Sequence, residues 1–200
     1  MCSLADIWKY IKERSIQPPE KPDKILEQLA RARLMPEKIR LFSPWGPRYN
    51  RRSPRIAETD PEIATLREIR GILDRCRESG YNIDLLLMPA DAYGTEINSL
   101  SQDFVREYFK WLEEQAYKEV GEVKVKLWSA IRDEQRRRYD SLSRAIDQNF
   151  NEWIKEGEYR NAVGVAKVFS PGNAEQSARR YCRERVVEGI IISEVYDPIK

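Results

Sequence analysis

The sequence predicts an α/β fold: a Rossmann-like parallel sheet flanked by helices, with an added long-helix layer. Three observations predict it. Two apolar runs, Ile39–Phe42 and Ile83–Met88, each stop near a proline, Pro44 and Pro89. The second run is nearly unbroken, as a strand buried on both faces should be. Between them, Asp60-Pro61-Glu62 opens a helix with cap, first-position proline and first-turn acid in order. Strand, helix and strand in that succession fit adjacent parallel strands joined by a right-handed crossover.

Residues 1–35 read as an N-terminal helical segment, a short helix at Leu4–Arg14 and a second one capped by Asp23, with a hinge at Gln17-Pro18-Pro19-Glu20-Lys21-Pro22. Residues 36–200 read as a single α/β domain. In the crossover helix, Ile63, Leu66, Ile69, Leu73 and Cys76 recur at helical spacing, and Gly80 supplies the stop. Ser101 caps the next helix, whose apolar face is Phe104, Val105, Tyr108, Trp111 and Leu112. A third strand is expected at Glu122–Leu127. A long helix follows, with Ile131, Gln135, Tyr139, Leu142, Ile146, Phe150 and Trp153 on one face and Gly157 at its end. Ala162–Val168 reads as another buried strand and Ser170–Asn173 as a turn. A helix through Ala178, Tyr181 and Cys182 then leads to a last strand at Gly189–Val195.

Composition narrows the chemistry. Hydrophobic residues make up 41% and charged residues 34%, enough apolar material for a core. No apolar run is long enough to cross a membrane, and the first residues lack the continuous apolar stretch of a signal peptide, so a soluble, cytoplasmic protein is expected. There is no histidine, which removes Ser/His/Asp and Cys/His nucleophile systems and His-ligated zinc. The three cysteines, Cys2, Cys76 and Cys182, lie far apart and form no CxxC motif, so they read as isolated reduced thiols. No cofactor motif is present. Acid–base work would fall to Asp, Glu, Tyr or Lys, with burial or neighbours setting the proton affinity.

The net charge of +2 conceals three arginine clusters. Arg40, Arg48, Arg51, Arg52 and Arg55 span sixteen residues without an acid. Arg132, Arg136, Arg137 and Arg138 form the second cluster, and Arg179, Arg180, Arg183 and Arg185 the third, both interleaved with acids. The planar fork of arginine suits phosphate and carboxylate, so the acid-free cluster points to an anionic partner.

Ligands of an open α/β sheet bind where loops leave the carboxyl ends of strands. That rule selects Ser43–Arg55, Met88–Asn98 and Ser193–Asp197. In the first, Arg48, Arg51, Arg52 and Arg55 would hold the anion, with Ser43 and Tyr49 as polar contacts. It is neither a Walker A loop nor a GxGxxG turn. The second offers Asp91, Tyr93 and Glu96; the alternative there is turn chemistry, and no ligand spacing compels magnesium. Glu194, an acid inside an apolar run, should find a partner or a role. The expected site brings the arginines to face Asp91, Glu96 or Glu194 across one pocket.

The stretch from about Lys38 to Leu112 resembles the isocyanide (isonitrile) synthase family. The likeness rests on a strand leading to a basic loop with Ser53-Pro54, the Asp60-Pro61-Glu62 helix start, an apolar strand ending in Asp91, then Tyr93 and Val105-x-x-Tyr108. The resemblance implies condensation of an amino acid amine with a sugar phosphate, the basic loop holding the phosphate. The same stretch is similar to the cyclodipeptide synthases, which share a Rossmann layer and take amino acids from charged tRNA. That likeness places Ser43 as nucleophile; the family's tyrosine four residues before a glutamate would fall at Ile190, with the glutamate at Glu194. The expected function is therefore a transferase or synthase acting on a free or tRNA-borne amino acid with a phosphate-bearing co-substrate. Ser43, Asp91, Tyr93 and Glu194 are the expected catalytic residues, and Arg48, Tyr49, Arg51, Arg52, Arg55 and Glu96 the expected binding residues. The small-molecule substrate would be an amino acid, a sugar phosphate or a nucleotide, with tRNA as a further partner. The alternative is a non-enzymatic RNA-binding or protein-interaction module using its Arg-rich faces, with Trp45, Tyr49 or Trp128 stacking on bases.

Overall fold

A computed structural model describes residues 39–46, 60–98 and 100–196, together with Lys9, Asp23, Glu27 and Ala30. The elements are β1 (Ile39–Trp45), α1 (Asp60–Glu78), β2 (Ile83–Pro89), a π-helical turn (Tyr93–Ile97), α2 (Gln102–Val120) and β3 (Lys124–Val125). After them come α3 (Trp128–Glu134), α4 (Arg136–Gln148), α5 (Phe150–Trp153), α6 (Glu156–Phe169), a 3-10 turn (Pro171–Asn173) and α7 (Ala174–Tyr196). The N-terminal helices and their hinge lie outside the described residues, apart from those four positions.

The described chain forms two compact units. Among the described residues, the first comprises β1, residues 60–88 and Glu107–Lys126. Its sheet has the order β1-β2-β3, so β1 and β2 are neighbours as expected, with α1 between them in sequence. β2 pairs parallel with β3 through Leu86↔Lys124 and Leu87↔Val125, and the Lys126 N–H donates to the Leu87 carbonyl at 3.0 Å. Every residue of β2 is buried. On α1, Leu66, Ile69, Leu73 and Cys76 are buried at the spacing read from sequence. Burial of each of the three aliphatic side chains contributes about 1.5–3 kcal/mol. Gly80 ends the helix at φ 85°, and the Tyr81 N–H reaches back to the Cys76 carbonyl at 3.0 Å, the bond that defines a left-handed helix stop.

Glu62, fully buried in the first turn of α1, accepts a hydrogen bond from the Tyr108 hydroxyl at 3.2 Å. Tyr108 in turn accepts from the Trp45 indole N–H at 3.2 Å. This relay ties β1, α1 and α2 together inside the first unit.

The second unit comprises Gly46, Pro89–Arg106 and residues 127–196 of the described chain. Ser101 caps α2 as read, its Oγ accepting the Phe104 N–H at 3.2 Å. The core of this unit is helical, with Trp128, Ile131, Ile146, Val187 and Ile191 wholly enclosed. The face predicted for one long helix is buried at Ile131, Tyr139, Leu142, Ile146 and Phe150 but not at Trp153, which is 42% exposed, and the helix is broken twice, at Gln135 and Asn149, where the backbone leaves helical angles.

The fold class differs from the expectation: the protein is mostly helical and not a Rossmann-like α/β fold. Among the described residues its sheet stops at three strands, and β3 is two residues long rather than the six of Glu122–Leu127. The expected strand at Ala162–Val168 lies inside α6, and that at Gly189–Val195 lies inside α7. The Rossmann layer implied by the family resemblance falls with it. The physical reason is visible in burial. Val187 and Ile191, four apart, are buried while their neighbours are less so, which is helical rather than alternating periodicity. In α6, Glu156 and Glu158 sit in the first turn and Lys167 in the last, matching the helix dipole. Gly157 lies near the start of α6 and does not end the preceding helix. Among the described residues, no helix is long and apolar enough to cross a membrane.

Candidate active site

Directly after β2 the chain enters the π-helical turn, in which the Asn98 N–H bonds the Tyr93 carbonyl, five residues back, at 3.0 Å. Such wide turns are costly and concentrate at functional sites. This one carries Asp91, Tyr93 and Glu96 toward α3 and α7 within the second unit. The Asp91 carboxylate accepts the Ser129 N–H in the first turn of α3 at 3.0 Å, and its carbonyl accepts the Thr95 hydroxyl. Glu96 takes both terminal nitrogens of Arg132, at 3.0 and 2.6 Å, and its carbonyl accepts from Arg180 at 3.2 Å. The Arg132 bonds hold the Glu96 carboxyl below its usual range.

Tyr93 is buried, and its hydroxyl donates to Glu188 Oε2 at 2.5 Å. Its ring meets Tyr181 edge-on at 5.8 Å between centroids. Burial, reinforced by the Glu188 charge, pushes the phenol far above its ordinary range, so it remains a donor. Burial also raises the Glu188 carboxyl; Glu184 adds to the rise, while the Tyr93 bond and Arg185 oppose it. A buried phenol and a carboxyl of raised proton affinity thus share one hydrogen bond.

One turn before Glu188, Glu184 is 4% exposed and accepts the Trp128 indole N–H and the Tyr139 hydroxyl, each at 2.7 Å. Arg132 approaches the same carboxylate at 3.7 Å and lies over the Tyr139 ring at 5.3 Å. Arg132 thus joins the π-helical turn, α3, α4 and α7 in one polar network.

Of the expected site residues, Asp91, Tyr93 and Glu96 come together on this turn. Glu194 does not join them. It is helical, ten residues past Glu184 and so about 15 Å further along the axis, where Arg138 grips it through Nε at 2.9 Å and through Nη2. Its apparent isolation in an apolar run disappears once that run is helix. Ser43 lies in β1, and its side chain is outside the described set; Arg48, Tyr49, Arg51, Arg52 and Arg55 lie outside the described residues, and with them the arginine side of the expected pocket. Asp91 accepts Ser129 through Oδ1 and Glu96 gives both oxygens to Arg132, and no group of three or more Asp, Glu, Cys or His among the described residues is placed to hold a metal.

Glu184, Glu188 and Tyr139 were not marked as site residues by the sequence; Arg132 was read only as part of an arginine cluster and Trp128 only as a base-stacking residue of the RNA-binding alternative. Glu184 and Glu188 are four apart, a spacing that places two acids on one helix face. No family model, curated protein or solved structure matches the chain.

Proposed function

We propose that the protein is an enzyme, a transferase or synthase acting on the amine of a free or tRNA-borne amino acid, with Glu188 as the acid–base residue and Tyr93 as the donor that orients it. The observation that carries this reading is the 2.5 Å bond between the buried Tyr93 hydroxyl and Glu188. In a chain without histidine, a carboxyl of raised proton affinity is the group suited to take a proton from a substrate ammonium. The released amine lone pair then attacks the acceptor carbonyl carbon as the C=O π pair moves to oxygen; collapse of that adduct expels the tRNA ribose hydroxyl from an aminoacyl ester, or water from a ketose phosphate. The Tyr93 phenol keeps its proton and continues to donate to Glu188. The expectation that Arg48, Tyr49, Arg51, Arg52 and Arg55 hold a phosphate-bearing co-substrate rests on the sequence alone.

The Arg-rich alternative draws less support. Arg132, Arg136, Arg138 and Arg183 are each paired with a carboxylate, which neutralises much of what a nucleic acid would read. The test supplies the full chain with amino acids plus a pentulose phosphate, or with aminoacyl-tRNA, and follows products by mass spectrometry. Turnover is expected with one class, and Glu188→Gln should lower it about 100-fold or more. Turnover with neither, or full turnover in Glu188→Gln, would overturn the proposal.

A further inference from the structure

Helices α4 and α7 pack against each other, and a cleft of about 490 Å³ opens beside them, lined by Tyr139, Asp140, Ser143, Arg144, Asp147 and Arg183. Five of these lie on α4 at spacings that share one face, and Arg183 reaches in from α7. The lining carries two acids and two arginines, so charge balances within it. Arg183 Nη1 holds Asp147 Oδ2 at 2.8 Å. Arg144 uses only Nε, on the Asp140 carbonyl at 3.2 Å, and its terminal nitrogens bond to nothing among the described residues. The Asp140 carboxylate has no ion pair there either. Ser143 is 9% exposed, and its Oγ, like Arg183 Nε, is buried without a hydrogen-bond partner among the described residues.

We propose that this cleft binds a free α-amino acid as its zwitterion, the carboxylate on Arg144 and Ser143 and the ammonium on Asp140. Balanced charge is the reason for a zwitterion over a phosphate. A dianion would meet two aspartates as well as two arginines; with Arg183 and Asp147 already paired, a zwitterion presents the two remaining charges, Arg144 and Asp140, with their opposites. The volume lies in the range of small-molecule sites. Buried polar groups without partners are uncommon in folded proteins, and a ligand carboxylate would engage the Ser143 hydroxyl. The proposal does not rest on the Tyr93–Glu188 pair.

Calorimetric titration of the full chain with each common L-amino acid, its amide, its N-acetyl derivative and inorganic phosphate tests it. At least one amino acid should bind at millimolar concentration or below, with its amide and N-acetyl forms at least tenfold weaker. Asp140→Asn and Arg144→Ala, both at exposed positions, should each weaken binding at least tenfold. Ser143→Ala should weaken it severalfold without lowering Tm. Binding by no amino acid, phosphate binding as tightly as the amino acid, or parent-like affinity in both charge variants would overturn the assignment.

Discussion

Glu184 satisfies two donors that would otherwise be stranded, the Trp128 indole and the Tyr139 hydroxyl. Glu184→Leu fills the space but leaves both donors buried and unbonded, at about 1–3 kcal/mol each. Urea unfolding should show a loss of about 2–5 kcal/mol; parent-like stability would mean the network is not formed. Arg132 and Glu96 separate in the same way. Glu96 is 47% exposed, so Glu96→Gln should cost no more than about 1 kcal/mol. Arg132→Ala also removes the cation beside buried Glu184 and should cost distinctly more. Glu188 and Glu96 respond to pH with opposite signs. Burial raises Glu188, so its contribution is whole below the ordinary carboxylate range and fades as pH rises through the raised value. Arg132 lowers Glu96, so its contribution is present above the ordinary range and is lost as pH falls through the lowered value. Melting curves of parent and Glu188→Gln between about pH 4 and pH 8 should therefore differ most in the parent's favour at the acid end. A pH-independent difference would place the Glu188 proton affinity at its ordinary value.

At the scale of elements, α6 and α7 separate helix from strand most sharply. Val165, 60% exposed, sits in α6 where a strand was expected. Val165→Ala should stabilise a helix by about 0.5 kcal/mol, through propensity alone, and would weaken a strand. Thermal melts of the pair decide the sign. The α1 helix and β2 were legible because cap, periodicity and glycine stop agree, and β2 reads apolar throughout. The Ile190–Ile192 run was not legible in the same way. Three isoleucines favour a strand locally, yet Val187 and Ile191 dock together on the buried side of α7, and packing outweighs a few tenths of a kcal/mol per residue of propensity.

The whole molecule shows what arginine clusters become in three dimensions. Two of the three, which sequence leaves open as nucleic-acid faces, meet carboxylates from other elements, as in Arg132–Glu96, Arg138–Glu194 and Arg183–Asp147. Replacing Arg136 and Arg138 together with Ala should leave any RNA affinity and its salt slope unchanged, since both already face Asp133 and Glu194. A slope reduced by about two would show that these arginines meet phosphates.

The sequence by itself determined the absence of histidine chemistry, the first helix and its stop, the buried second strand, and a polar turn after it with Asp91, Tyr93 and Glu96. Each follows from local rules of residue type and spacing that act within one turn or strand. Tertiary structure alone decided that Tyr93 meets Glu188, 95 residues away, that Arg132 bridges Glu96 and Glu184, and that Glu194 belongs to a surface ion pair. Those outcomes depend on which buried faces dock, and docking of Val187 and Ile191 made the last apolar run part of a helix rather than a strand.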